Sequence, residues 1–125
     1  MGNLELRRAT FAQAFKTLEE ILNMPFSVIV RDASIQRFEY TFEAAWKMLQ
    51  VYLAEREGLV CNSPKGVFRA AGSSGLLSMD LVEQALEMTD DRNRTSHTYI
   101  EAVSQKIYGQ LPRYRDVMGV LLQVC

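Results

Sequence analysis

The sequence predicts an all-α fold, an up-and-down four-helix bundle with short accessory helices. Three observations carry this. The apolar residues recur at helical spacing along nearly the whole chain. Proline, glycine and serine fall between the periodic runs, where they stop one helix and cap the next. Strand signals are weak: Phe26 to Val30 is a short β-prone run, and one strand makes no sheet.

Taken in order, Phe11, Phe15, Leu18 and Leu22 recur at i, i+4, i+7 and i+11. They predict a first helix over Leu4 to Leu22, stopped by Pro25. Ile35, Phe38, Phe42, Trp46, Leu49 and Leu53 mark a long second helix, with Asp32 as its N-cap and Gly58 as its stop. Ser63 and Pro64 read as a cap followed by proline at the first helical position. The third helix carries Gly66 and Gly72, which predicts a short element ending in the Gly72–Gly75 turn. Ser78 caps a fourth helix through Leu81, Ala85 and Met88, running out near Asp91 to Thr95. Thr98 with Glu101 makes a capping box for a fifth helix carrying Ile100, Val103 and Ile107. Pro112 is expected to interrupt or kink it near Gln110. Tyr114, Val117, Leu121 and Val124 continue as a last helical segment.

Composition bounds the function classes. The 125 residues suit one domain spanning 1–125, with 48% hydrophobic and 23% charged side chains, which excludes disorder and low complexity. A chain of this size buries roughly two-thirds of the surface its unfolded form exposes, so it needs no metal or disulfide staple. Fourteen basic against fifteen acidic residues give a net charge of -1. That balance removes the global basic field of a non-specific nucleic-acid coat, while leaving room for a local basic site. Cys61 and Cys125 are far apart and there is one histidine, too few ligands for zinc. Free thiols in a reducing compartment are expected. Met1 to Leu22 has no apolar signal-peptide core, and no apolar run has the length of a membrane span, so a cytoplasmic location is expected. There is no Gly-rich nucleotide loop and no carboxylate pair of the magnesium-binding kind, so the chain is not expected to transfer nucleotides itself; no cofactor or metal is expected either.

Two polar features stand out. On the second helix Asp32, Gln36, Glu39, Glu43 and Gln50 share one flank beside the apolar stripe. Glu43 reads as part of a solvated face, helped by a Glu43–Lys47 pair at i, i+4. Glu39, nearest the stripe, is balanced between a solvated residue and a partly buried carboxylate waiting for a cation. The Phe38, Phe42 and Trp46 stripe reads as core. The second feature is Asp90 to Tyr99, which holds Arg92, Arg94 and the only histidine, His97. Arginines at a helix C-terminus complement the macrodipole, which is their structural role. A histidine titrating near neutrality can also act as general base or acid, and an adjacent arginine can bind a phosphate. Together they suit attack of an RNA 2′-hydroxyl on its neighbouring phosphate, chemistry that DNA does not offer. A twofold dimer would supply the second acid or base.

The stretch Arg31 to Lys47, RDASIQRFEYTFEAAWK, resembles the signature of the nucleotidyltransferase substrate-binding-protein family, within the wider HEPN group of helical domains. The likeness continues through Ser63-Pro64-Lys65 and Gly75-Leu76-Leu77 and ends in Arg92-Asn93-Arg94-Thr95-Ser96-His97-Thr98-Tyr99. The resemblance implies a helical homodimer and a separate minimal nucleotidyltransferase as partner. Related pairs are toxin–antitoxin systems, in which the HEPN protein is a metal-independent ribonuclease silenced by transfer of AMP to a tyrosine of an Arg-x4-His-x-Tyr motif. Carried over, His97 is the acid–base residue, Arg92 holds the scissile phosphate, Asn93 supports it, and Tyr99 is the modified residue. That Glu39 orients Arg92 is our own inference. The other expectations are a non-catalytic subunit presenting a substrate to the nucleotidyltransferase, and a plain dimerisation module.

Overall fold

The computed structural model describes residues 3–125. Five helices follow one another: α1 Asn3–Leu22, α2 Val28–Glu57, α3 Pro64–Ser73, α4 Met79–Arg94 and α5 Glu101–Val124. A 3-10 turn, Thr95–His97, lies between α4 and α5. No strand is present among the described residues. The four long helices form the up-and-down bundle, and α3 is the accessory.

Most helix ends have local causes. The Ser63 and Ser78 hydroxyls accept from the backbone N–H groups of Gly66 and Leu81, as N-caps do. Gly58 ends α2 at φ 68°, in the left-handed region where glycine carries no Cβ penalty. Gly72 answers a different need. A Cβ there would lie 2.7 Å from Cγ2 of Val82, so only glycine lets α3 approach α4 this closely.

Three expected boundaries are corrected. The second helix begins at Val28, with Ser27 rather than Asp32 as its cap: the Ser27 hydroxyl accepts from the Val30 N–H at 3.0 Å. Asp32 lies inside the helix, and most of the β-prone run becomes its first turn. Thr98 does not cap α5. The N-cap is Ile100, without a side-chain bond, and Glu101 turns instead to Arg31. Pro112 does not divide α5, which is a single 24-residue helix. Proline removes one N–H and crowds the carbonyl four residues back. Here Pro112 sits on the exposed side of α5, and the buried residues on either side of it, Leu111 and Tyr114, keep the helix packed on the bundle.

The 30-residue α2 is the spine of the bundle, packing on α1, α3, α4 and α5. Polar contacts set it antiparallel to α1: Arg37 Nη1 donates to the Thr17 carbonyl at 2.8 Å, and Thr41 Oγ1, which donates to the Arg37 carbonyl at 2.6 Å, also lies 3.2 Å from the Ala14 carbonyl. Phe38 stacks on Tyr114 of α5 at 5.6 Å between ring centroids, and the aromatic chain continues through Phe42 to Phe68 of α3. Phe38 and Phe42 are core, as their spacing predicts, while Trp46 is half-buried.

Phe38→Ala is expected to lower unfolding free energy by about 3–5 kcal/mol, because its contacts with the Phe42 and Tyr114 rings are lost and a cavity is left. Ser27→Ala is expected to cost about 1 kcal/mol. Denaturant midpoints of the two variants check both figures; equal midpoints would contradict the core assignment.

Candidate functional site

The last turn of α4 and the residues that follow it present the polar groups. Asp91 points inward and is 4% exposed. Its carboxylate accepts from the Tyr114 hydroxyl at 2.5 Å and from Arg94 at 2.7 Å. Burial first, and this hydrogen bond second, push the Tyr114 phenol above its usual value of 10.0.

With Asp91 turned in, Arg92 is carried about 100° round the helix towards α2. Its Nη1 donates to Thr95 Oγ1 at 2.9 Å, and that buried hydroxyl donates back to the Arg92 carbonyl at 2.6 Å. Across the gap, Glu39 and Glu43 each bring a carboxylate oxygen to 3.5 Å from the guanidinium. Arg92 Nε is buried without a hydrogen-bond partner. Glu39 therefore stands against Arg92 across the bundle. Glu43 departs from the solvated role expected of it: it faces Arg92 and accepts from the Trp46 indole N–H at 2.9 Å. Periodicity put Glu43 on the flank but farther from the apolar stripe than Glu39, and nothing in the sequence showed that both would face Arg92. Gln36, Glu39, Tyr40, Glu43 and Arg92 line a groove of about 320 Å³. A second groove of about 190 Å³, lined by Asp32, Ile35, Glu39 and Thr98, lies on the other side of Glu39.

His97 closes the 3-10 turn and is exposed, as is Tyr99, at 80%. The two meet edge to face, with His97 Nδ1 3.4 Å from the Tyr99 hydroxyl. Asn93 is exposed, and its backbone carbonyl accepts from Ser96. Thus Arg92 is brought to Glu39 and Glu43, and His97 to Tyr99, but no hydrogen bond joins Arg92 to His97. Sequence reasoning passed over Asp91 and Tyr114. Periodicity placed Tyr114 on the apolar side of its helix, but the burial of Asp91 and its bond to Tyr114, which mark the pair as the support beneath Arg92, were not visible in the sequence.

Other chemistry is sparse. Among the described residues no group of three or more His, Cys, Asp or Glu side chains is arranged to hold a metal ion. No described helix is long and apolar enough to cross a membrane. Both cysteines are free, and burial pushes the Cys125 thiol up to about 11, leaving it protonated at neutral pH.

The sequence from residue 6 to 124 matches the family model described as nucleotidyltransferase substrate binding protein like. The chain belongs to this family. A solved protein from Thermus thermophilus is 48% identical, with a TM-score of 0.87 over 90% of this chain and 96% of that one. A Haemophilus influenzae protein, whose structure is said to reveal the fold of a substrate binding domain of a nucleotidyltransferase, is 25% identical. It superposes at a TM-score of 0.68, covering 97% of each chain. A chain of the MntA–HpeT toxin–antitoxin shares the fold, at a TM-score of 0.80 and 11% identity over 97% of this chain and 95% of that one. No curated protein matches the sequence.

Because the folded environment favours the neutral Tyr114 phenol, the stability it supplies is complete below pH 10 and is lost as pH rises beyond it. Unfolding measured across that range is expected to show this alkaline decline in the wild type and less of it in Tyr114→Phe. That variant is also expected to be less stable at pH 7 by about 1–2 kcal/mol, having lost a bond to buried Asp91. Identical alkaline profiles would contradict the assignment.

Proposed function

We propose that this protein is the helical partner of a minimal nucleotidyltransferase and acts as a HEPN-type toxin, a metal-independent endoribonuclease silenced by AMP transfer to Tyr99. The observation that carries the proposal is the Arg92-x4-His97-x-Tyr99 motif at the end of α4 and the turn that follows it, with His97 Nδ1 and the Tyr99 hydroxyl 3.4 Å apart.

In this mechanism His97 takes the proton of an RNA 2′-hydroxyl. The freed oxygen attacks the adjacent phosphorus, a cyclic phosphate forms, and the bond to the 5′-oxygen breaks. The departing oxygen needs a proton. A twofold homodimer supplies it from the second copy's turn, giving two half-sites from one motif. Arg92 stabilises the charge growing on the phosphate, a task suited to its five donors and fixed planar fork. Its two carboxylate neighbours at 3.5 Å are loose enough to yield to an anion. Asn93, next to Arg92 on the same turn, supports the bound phosphate. An AMP group on Tyr99 would set a bulky anion two residues from His97, blocking the cleft and repelling RNA phosphates. The 80% exposure of Tyr99 leaves its hydroxyl open to a transferring enzyme.

The second reading, a non-catalytic subunit that presents a substrate to the nucleotidyltransferase, is favoured by the family's description and by the two grooves along α2. In it Glu39, which lines both, contacts the substrate.

Purified protein in EDTA is expected to cleave RNA, and His97→Ala or Arg92→Ala to lose at least about a hundredfold in rate. No cleavage by the wild type, with mass spectrometry showing Tyr99 unmodified, would overturn the ribonuclease reading in favour of the substrate-binding subunit. Light scattering checks the homodimer: a monomer at high concentration would remove the two half-sites. On co-expression with a partnering nucleotidyltransferase, the wild type is expected to gain the mass of one AMP and Tyr99→Phe to gain none.

A further inference from the structure

Arg31 opens the signature run, and none of the roles above uses it. It is 4% exposed. A guanidinium taken out of water needs partners. Arg31 has them: Nη1 and Nη2 donate to the two carboxylate oxygens of Glu101 at 2.5 and 3.2 Å, and Nε to Asp32 at 3.1 Å. The fork-on-carboxylate arrangement fixes orientation as well as distance. Arg31 and Glu101 are 70 residues apart, so the pair ties the first turn of α2 to the first residue of α5. Hydrogen bonding from Arg31 holds the Glu101 carboxyl below its ordinary range.

Arg92, His97 and Tyr99 lie between two fixed points. On one side Asp91 is bound to Tyr114. On the other Glu101 is bound to Arg31, and Ser104 donates to the Thr98 carbonyl. The His97 and Tyr99 side chains touch chiefly each other, in solvent. Their placement thus depends on the ends of the segment being held. We infer that Arg31 is a positioning residue for the His97–Tyr99 turn, acting through Glu101. Its importance for catalysis rests on the ribonuclease reading; the tie itself does not.

The test uses Glu101→Gln, which keeps the side-chain shape at an exposed position, with Arg31→Lys as a second variant that keeps the charge and loses the fork. Amide hydrogen exchange and the kcat and KM of RNA cleavage are measured on the full chain. In Glu101→Gln, exchange from Thr98 to Ser104 is expected to quicken roughly tenfold or more while Ile107 to Leu121 is unchanged. The kcat is expected to fall roughly tenfold or more at unchanged KM, and Arg31→Lys to show the same pattern. Unchanged local exchange would overturn the inference, as would faster exchange with unchanged kcat. A wild type that cleaves no RNA would overturn the ribonuclease reading alone, and the exchange comparison would still decide whether Arg31 orders the turn.

Discussion

The buried hydrogen bond from the Tyr114 hydroxyl to Asp91 is the interaction on which the arrangement of the polar end depends. Tyr114 is in α5, Asp91 in the last turn of α4, and Phe38 of α2 stacks on the tyrosine ring. A carboxylate 4% exposed is tolerable only because it is bonded to Tyr114 and paired with Arg94. Having one side of α4 fixed in this way leaves its neighbour Arg92 a single direction, towards α2. The rotation of one residue on a helix thus converts a core contact into the orientation of a surface cation.

That cation is held without being buried in an ideal pair. Thr95 supports its base, two carboxylates stand at 3.5 Å, and Nε makes no hydrogen bond. Such a guanidinium can exchange one acidic neighbour for another acidic group at modest cost, since the pair is partly solvated. Arg31 is the contrast: buried, bidentate and tied to another helix. One arginine is locked into a bidentate pair and the other is loosely neighboured, and the difference lies in burial and geometry rather than in residue type.

Much of the fold was legible because its signals are local. Ser63, Ser78 and Gly58 act within one turn of their own position, so spacing alone located those helix ends. The errors arose where a local preference met a tertiary contact. Glu101 could have closed a capping box with Thr98, but a buried arginine from α2 offered two charge-assisted bonds and took it. Val28, Ile29 and Val30 favour strands singly, yet with no neighbouring strand to pair with they complete the first turn of a helix capped by Ser27. Pro112 would end an isolated helix, while here packing of Leu111, Tyr114 and Val117 on both sides holds α5 together.

The sequence by itself determined the helical class, the family and the polar motif from Arg92 to Tyr99, because periodicity, caps and residue spacing are properties of neighbours along the chain. Only the tertiary structure decided what faces what. The pairing of Arg92 with both Glu39 and Glu43, the burial of Asp91 against Tyr114 and the tie from Arg31 to Glu101 join residues 23 to 70 positions apart. Such contacts depend on how helices pack and on which charges can be desolvated together, and neither is encoded in any one stretch of residues.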